Sequence, residues 1–220
     1  MENFEPLFRI AIDGPGGAGK STIAKLLAAK YGIPYVDTGA MYRAVGLKMT
    51  RLGLPFEESE ELTAMLEDTD IDFAVENVIL DGEDVSGLIR TQEISAAASD
   101  CSKLPSVRKK LVALQKKMGE TRNVVMDGRD IGTNVMPDAE FKFYITATPE
   151  ERARRRYLEL VNKGQEADFD KVLEEINQRD YNDMHRELDP LRKADDAIEV
   201  DTTNMNIEEV LESVVRLIDD

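Results

Sequence analysis

Short apolar runs alternate with segments of helical periodicity along this chain of 220 residues. The run at 8–13 is mostly apolar and is followed by Gly14, which is typical of a buried strand. Apolar residues at helical spacing predict a helix over 20–31, a strand follows at 34–37, and a second helix spans about 39–52. This order of strand, helix, strand and helix predicts an α/β fold, with a parallel sheet covered by helices on both faces.

Later segments add strands to the same predicted sheet, and two other segments do not fit the alternation of strands and helices. Runs at 123–127, 141–146 and 197–201 predict three further strands, and the last precedes a helix over about 207–218. Between the early and late strands, 63–90 alternates like strands and contains Asp81-Gly82, a pair that favours hairpin turns. We therefore expect a small β-rich insert there. A basic helix and a polar loop occupy about 150–168.

Composition narrows the classes of function. The net charge of −16 disfavours binding to nucleic acid, whose affinity depends on Lys and Arg neutralising phosphates. The sequence has one cysteine, Cys101, and one histidine, His185, which excludes an internal disulfide and a Cys/His metal cluster. Since no apolar stretch reaches the ~20 residues of a membrane span, and 1–6 lack the basic start of a signal peptide, we expect a cytoplasmic protein without membrane contact. No heptads occur, and we expect a monomer.

One motif carries the clearest chemistry. The segment at 14–21 matches G-x-x-x-x-G-K-[ST] and lies between a predicted strand and a predicted helix. Its glycines allow a tight turn, and the helix directs its N-terminal N–H groups at an anion. We expect Lys20 to contact the β and γ phosphates of a nucleotide and Ser21 to bind Mg²⁺. The predicted nucleotide-binding residues are Gly14, Pro15, Gly16, Gly17, Ala18, Gly19, Lys20, Ser21 and Thr22.

Charged residues follow two other predicted strands, at the edge where such folds bind ligands. Thr38 follows the second strand and is expected to cap the next helix. Arg43 lies near that helix's N-terminus, where a ligand phosphate and plain solvent exposure are equally good explanations. Asp127 ends the third strand, a place that commonly holds Mg²⁺ through water, and Arg129 and Asp130 adjoin it.

A basic helix nearer the C-terminus carries Arg179, Asp183 and Arg186. Their spacing predicts that all three lie on one helical face. Surface ion pairs are the ordinary explanation of such a set, and the spacing alone does not choose between these pairs and a ligand site.

Together, several stretches resemble the bacterial cytidylate (CMP) kinases: IDGPGGAGKST, YVDTGAMYR, LDGEDVSGLIRTQEIS, VMDGRDIGT and PDAEFKFYITATPEERARRR. The resemblance runs from about residue 9 to the C-terminus. It implies one P-loop kinase domain over 1–220, with a five-stranded parallel sheet. Its core would comprise about 1–40, 91–149 and 187–220, with a monophosphate-binding insert at about 63–90 and a helical lid at about 150–168.

The resemblance also implies roles for individual residues. Those implied to bind CMP are Thr38, Arg43, Ser99, Arg108, Arg129, Asp130, Arg179, Asp183 and Arg186, of which Ser99, Arg108 and Asp130 would read cytosine. Those implied to act in catalysis are Lys20, Arg129 and the lid arginines Arg152, Arg155 and Arg156. Gly16 departs from the serine or alanine that the family often has, which would remove a side-chain contact there.

The reaction that this resemblance implies is ATP- and Mg²⁺-dependent phosphorylation of CMP, and of dCMP, in pyrimidine nucleotide metabolism. An acceptor phosphate is mostly dianionic near pH 7, since its second pKa is about 6, so no general base is required. Two alternatives remain: a P-loop kinase for another acceptor, such as UMP, AMP, shikimate or dephospho-coenzyme A, and a non-enzymatic nucleotide switch. The chain lacks the Asn-Lys-x-Asp motif that guanine-reading switches normally have.

Overall fold

The computed structural model describes residues 7–74 and 77–220. The predictions for 1–6, and the part of the insert at 75–76, lie outside these residues. In chain order the elements are β1 (Arg9–Asp13), α1 (Lys20–Tyr31), β2 (Tyr35–Asp37), α2 (Thr38–Leu52), α3 (Glu60–Glu67), β3 (Ile71–Ala74), β4 (Asn77–Leu80), β5 (Glu83–Asp84), α4 (Gln92–Cys101), α5 (Pro105–Thr121), β6 (Val124–Gly128), β7 (Phe141–Thr146), α6 (Pro149–Asn162), α7 (Phe169–His185), β8 (Ile198–Asp201) and α8 (Ile207–Asp219). A 3₁₀ turn at Leu88–Arg90 and a π-helical turn at Ile131–Val135 complete the order.

A five-stranded parallel sheet with the order β2-β6-β1-β7-β8 forms the centre of the molecule. Strand β1 lies in the middle and pairs with β6 on one side and β7 on the other, with Ile12 opposite Asp127 and Phe143. All five residues of β1 and all five of β6 are buried. The continuous apolar runs of the sequence therefore correspond to strands covered on both faces, as parallel sheets require.

Alternate residues of the central strand β1 pack into two separate hydrophobic cores. Ile10 and Ile12 of β1 pack with α1 and α8, whereas Ala11 between them packs with the core on the other face, which α2 and α4 help to form. Because successive side chains of a strand point to opposite faces, one buried run can supply both cores. The predicted α/β fold with a five-stranded parallel sheet and helices on both faces is confirmed.

The segment predicted as a β-rich insert holds a small antiparallel sheet with the order β3-β4-β5. Asp81 and Gly82 join β4 to β5 with φ values of 51° and 83°, both in the left-handed region that the tightest hairpin turns require. The start of the segment differs from the sequence interpretation, because 63–67 belong to helix α3. Ser59 caps this helix by accepting a hydrogen bond from the Leu62 N–H.

Two local expectations were wrong. Asp37, not Thr38, caps α2: its carboxylate accepts from the Ala40 N–H at 2.8 Å, while the Thr38 hydroxyl donates to the Asp127 carbonyl at 2.7 Å. Arg186 does not share a helical face with Arg179, because α7 ends at His185 and Arg186 has extended backbone angles. Both errors concern residues at a helix end: Thr38 is the first residue of α2, and Arg186 directly follows α7. At such positions contacts with distant residues decide where the helix begins or ends.

Within the described residues, no helix combines the length and the apolar character that crossing a membrane would demand.

Candidate active site

The site lies where the carboxyl ends of β1 and β6 meet. These strands are neighbours, yet the chain leaves β1 towards β2 on one side of the sheet and leaves β6 towards β7 on the other. The loops that follow the two strands therefore diverge and open a crevice between them, which is where ligands bind in doubly wound folds. The glycine-rich loop follows β1, and Arg129 and Asp130 follow β6.

The phosphate-binding loop depends on glycine at its first position. Gly14 has φ of 142°, and a Cβ there would lie 2.0 Å from the Ile145 carbonyl oxygen, so no other residue fits against β7. Gly19 precedes α1 in the left-handed region, with φ of 94°. This turn aims the first N–H groups of α1 into the loop, which produces an anion site at the helix N-terminus.

Lys20 folds back over this loop and is almost fully buried. Its Nζ donates to the Pro15 carbonyl at 2.7 Å. Burial lowers the pKa of Lys20, and the nearby cation Arg129 lowers it further. A buried ammonium ion beside another cation is poorly compensated, and a polyphosphate would supply the missing negative charge.

A large cavity of about 1240 Å³ opens on one side of the loop. Its walls come from the loop and the start of α1, from α6, and from the segment that joins β8 to α8. This volume exceeds that of ordinary small-molecule pockets, and the cavity is partly open to solvent. We refer to it as the donor cavity.

A smaller cavity of about 200 Å³ lies on the other side of the loop, and we refer to it as the acceptor cavity. Gly17, Lys20 and Ser21 line both cavities, so the two spaces meet at the phosphate-binding loop. The predicted residues that line the acceptor cavity are Gly16, Thr38, Arg43, Ser99, Asp127, Arg129, Asp130, Arg179, Asp183 and Arg186. Elements and loops from distant parts of the chain thus bring these side chains to one place.

Three arginines in the acceptor cavity have few partners of their own. Arg43 pairs with Asp37 at 2.9 Å and Arg129 pairs with Asp183 at 2.7 Å. The buried Nε atoms of Arg43 and Arg179 have no hydrogen-bond partner in the part of the chain that the structure describes. Burial, and then the neighbouring Arg129, lower the pKa of Arg179 to about 10. Buried donors without acceptors are costly, so this group of cations indicates an anion site.

Asp130, which lines the acceptor cavity, connects two further arginines. Its carboxylate oxygens accept from Arg108 at 2.6 Å and from Arg186 at 3.1 Å. Asp189 supports the same pair, because its carboxylate accepts from Arg108 at 2.9 Å and its carbonyl accepts from Arg186 at 2.5 Å. Arg108 is buried and is not among the described residues that line the cavity, whereas Asp130 is one of them.

Three side chains with oxygen atoms, Ser21, Tyr35 and Asp127, meet next to the phosphate-binding loop. The Ser21 hydroxyl donates to Asp127 at 2.8 Å, and the Tyr35 hydroxyl donates to the other oxygen of Asp127 at 2.7 Å. Burial raises the pKa of Asp127, and the negative charge of Asp37 raises it further. A divalent cation at this point would relieve both effects, and hydroxyl and carboxylate oxygens are ligands that Mg²⁺ accepts.

Comparisons with known proteins bear on this arrangement. A family model described as cytidylate kinase matches residues 10–220. A cytidylate kinase of Caldicellulosiruptor saccharolyticus is 55% identical over 212 residues, 94% of each chain, and one of Clostridioides difficile is 50% identical over 209 residues, 95% of this chain and 97% of its own. The chain belongs to the cytidylate kinase family. The family resemblance read from the sequence motifs is confirmed, and so is the classification as a phosphotransferase.

Two solved structures with low sequence identity share the fold. Shikimate kinase of Bacteroides thetaiotaomicron superposes with a TM-score of 0.52 over 98% of this chain and all of its own, at 14% identity. An uncharacterised protein of Eubacterium ventriosum gives 0.54 over 97% of this chain and 99% of its own, at 15% identity. At such identities the likeness concerns the fold alone.

The lid arginines that the cytidylate kinase family implies lie in different surroundings. Arg155 and Arg156 line the donor cavity, where Arg155 donates to the Thr202 carbonyl at 2.6 Å. Arg152 lines neither cavity: it is buried and forms a two-pronged pair with Asp180 at 2.5 and 3.1 Å. It also donates to the Gly16 carbonyl at 3.0 Å, so in this conformation it links the phosphate-binding loop to α7.

Sequence reasoning missed several residues of the site. Arg154 lines the donor cavity and lies within the same arginine run, so the run itself was a signal. The wall at 202–208 follows the last strand, and its position after a strand of the sheet was a weaker signal. Asp189 gave no signal, because it occurs in an irregular segment with a φ of 46° and its role depends on contacts with distant residues.

Proposed function

We propose that this protein transfers the γ-phosphoryl group of ATP to the phosphate of CMP or dCMP, giving ADP and CDP or dCDP. The observation that carries the proposal is that the donor and acceptor cavities share Lys20 and Ser21. On the acceptor side, two arginines have buried Nε donors without a hydrogen-bond partner among the described residues. Two phosphate groups held in these cavities would face each other across the loop. Such proximity and charge compensation are what phosphoryl transfer requires.

The acceptor phosphate would bind among Arg43, Arg129 and Arg179. A guanidinium group binds phosphate through two parallel N–H donors, and the unpartnered Nε atoms of Arg43 and Arg179 supply such donors. An acceptor oxygen then attacks the γ phosphorus, the bond to the β-phosphate oxygen breaks, and ADP leaves. No proton has to be removed from the dianionic acceptor, so none of the aspartates that line the cavity is needed as a general base.

Lys20 would compensate charge on the donor phosphates, moving from the Pro15 carbonyl to the β and γ oxygens. Arg155 and Arg156 are placed to do the same from the lid, since both line the donor cavity. Arg152 would have to leave Asp180 and Gly16 before it could reach a nucleotide. Its buried position supports a role in holding the loop in this conformation, and its assignment as a catalytic arginine depends on lid movement.

Mg²⁺ fits the oxygen set formed by Ser21 and Asp127. Among the described residues no cluster of three or more His, Cys, Asp or Glu side chains is placed to hold a metal. This suits Mg²⁺ in kinases, which keeps several waters and relies on substrate phosphates for its other ligands. When bound, the ion would neutralise charge on the donor phosphates, with Ser21 as a direct ligand and Asp127 reached through water.

Asp130 would select cytosine. The N4 amino group of cytosine is a hydrogen-bond donor, and the Asp130 carboxylate, which lines the acceptor cavity, would accept from it. Uracil has a carbonyl oxygen at that position, which would face the same carboxylate without a proton between them. Ser99 and Asp183 also line the acceptor cavity, where Ser99 would contact the base and Asp183 the ribose. The roles of Arg108 and Arg186 would be to hold Asp130 in place, with Arg186 also facing the phosphate.

Several broader points belong to the same proposal. The insert at about 63–90 and the lid at about 150–168 would close over the nucleotides and exclude water, so that ATP is not hydrolysed. The core would then comprise about 1–40, 91–149 and 187–220. A monomeric state and a cytoplasmic location remain predictions from the sequence.

An acceptor panel tests the proposed function. The protein, ATP and Mg²⁺ are mixed with CMP, dCMP, UMP, AMP, shikimate or dephospho-coenzyme A, and ADP release is coupled to an optical signal. We expect CMP and dCMP to give the highest kcat/KM, and the variant Lys20→Met to abolish turnover with every acceptor. Faster turnover of another acceptor, or ATP hydrolysis that no acceptor accelerates, would contradict the proposal.

A further inference from the structure

Asp13 is a buried carboxylate to which the proposed reaction assigns no role. It is the last residue of β1, directly before the phosphate-binding loop, and only 4% of its surface is exposed. It does not appear among the described residues that line the donor or the acceptor cavity. A charged side chain in such a place is costly unless specific partners compensate it.

Both oxygens of Asp13 accept hydrogen bonds from backbone amides 118 and 119 residues away. One oxygen accepts from the Ile131 N–H at 2.8 Å and the other accepts from the Gly132 N–H at 2.7 Å. These amides open the π-helical turn at Ile131–Val135, and the first N–H groups of a helical turn have no partner within it. Asp13 therefore satisfies two buried donors with one side chain.

Gly132 allows this close approach. A Cβ at position 132 would lie 3.3 Å from an Asp13 oxygen and 3.3 Å from Lys142 Cδ. Both distances are tighter than ordinary van der Waals contact, so a side chain there would push the carboxylate and the turn apart. The absence of a side chain at Gly132 and the two short bonds to Asp13 are independent observations of the same tight junction.

The junction directly follows Asp130. The carbonyl of Asp130 accepts from the Asn134 N–H at 2.9 Å, so the residue is bonded into the turn that Asp13 anchors. On its side-chain end Asp130 meets Arg108 and Arg186. The position of its carboxylate is therefore set from two directions: by the arginines at the side chain and by Asp13 through the backbone.

We propose that Asp13 is a positioning residue for base recognition, which fixes the backbone immediately after Asp130 and so sets where the Asp130 carboxylate meets the acceptor base. The inference rests on the proposed function, because it presupposes that Asp130 reads cytosine. Through Asp13, strand β1 would thus contribute to the choice of base in the acceptor cavity. Misplacement of a recognition group by about 1 Å can cost on the order of 10²-fold in rate.

The charge of Asp13 supports this role. Burial raises its pKa to about 6, and the two amide hydrogen bonds act in the opposite direction. A neutral asparagine would be cheaper to bury, but its amide group would point a donor at one of the two N–H groups. The carboxylate is the side chain of this size that accepts from both.

The test compares CMP with UMP in the variant Asp13→Asn. We expect the ratio of kcat/KM for CMP to that for UMP to fall about tenfold, mainly through a higher KM for CMP, while KM for ATP stays within about twofold. The matched control is Glu140→Gln, which weakens the bonds of Glu140 to Arg9 at the other end of the same strand. The control should lower thermal stability without changing the CMP to UMP ratio.

A second variant covers the possibility that Asp13→Asn does not fold. Gly132→Ala keeps the carboxylate and displaces it by a few tenths of an ångström, so we expect a smaller fall of the same ratio. Equal losses with CMP and UMP in folded variants, or a ratio within twofold of the parent, would overturn the positioning role while leaving the proposed function intact. Failure of the parent enzyme to prefer CMP would overturn both.

Discussion

Replacing Arg179 with methionine should stabilise the ligand-free protein while damaging its activity. Arg179 lines the acceptor cavity, and its buried Nε has no hydrogen-bond partner among the residues that the structure describes. Burial, and then the neighbouring Arg129, lower its pKa well below the usual range of arginine, to about 10. At about 1.4 kcal/mol for each tenfold change, this corresponds to about 3 kcal/mol against the charged side chain.

The expected gain in stability is smaller than this figure. One side of Arg179 faces the open cavity, where water and ions screen the repulsion, so we expect Arg179→Met to raise the free energy of unfolding by about 1–2 kcal/mol. For a chain of this size, 1 kcal/mol shifts Tm by about 2–4 °C. Thermal unfolding without ligands should therefore show a Tm about 2–8 °C higher. The cost applies near neutral pH, because the lowered pKa of Arg179, about 10, still lies above neutral pH and the side chain stays charged.

Activity should change in the opposite direction. A hydrogen bond between a charged pair contributes about 1.5–3 kcal/mol, so the loss of Arg179 should lower kcat/KM for CMP by about 10–150-fold. The KM for ATP should change little, since Arg179 lines only the acceptor cavity. CMP should also raise the Tm of the parent protein more than that of the variant, because a ligand stabilises the form that binds it.

The control for this prediction is Arg122→Met, which removes an exposed arginine at the end of α5. It should shift Tm by less than about 2 °C and leave kcat/KM for CMP unchanged, as surface substitutions usually do. If Arg179→Met lowers Tm and leaves the CMP efficiency intact, the arginine is a structural residue. The interpretation of its unpartnered Nε as part of an anion site would then be refuted.

Three further predictions concern the loop, the metal ligands and the base. Gly14→Ala should prevent folding or cost more than about 3 kcal/mol, since its Cβ would meet the Ile145 carbonyl at 2.0 Å; circular dichroism and urea unfolding measure this. Ser21→Ala and Asp127→Asn should each raise the Mg²⁺ concentration for half-maximal activity by about tenfold, and unchanged Mg²⁺ titrations would contradict the assignment. Asp130→Asn should reduce the preference for CMP over UMP by about 1–3 kcal/mol in relative kcat/KM, and an unaltered preference would remove Asp130 from base reading.

Local patterns in the sequence determined the order of elements and the phosphate-binding loop. The helix at Lys20–Tyr31 and the strand at Phe141–Thr146 were predicted with their observed bounds, because buried parallel strands and amphipathic helices leave periodic signals. The hairpin at Asp81-Gly82 followed from turn chemistry in the same way. The sequence motifs also indicated the family, which the comparisons confirmed.

Tertiary structure decided which charged side chains pair and which remain available for a ligand. No periodicity relates Asp13 to Gly132 or Arg108 to Asp189, because these pairs are 119 and 81 residues apart and meet only in the folded chain. The run of arginines in α6 looked uniform, yet Arg152 is buried against Asp180 while its neighbours line the donor cavity. Charge type is a property of the sequence, whereas burial and partners depend on the arrangement of distant segments, and these determine what a charge does.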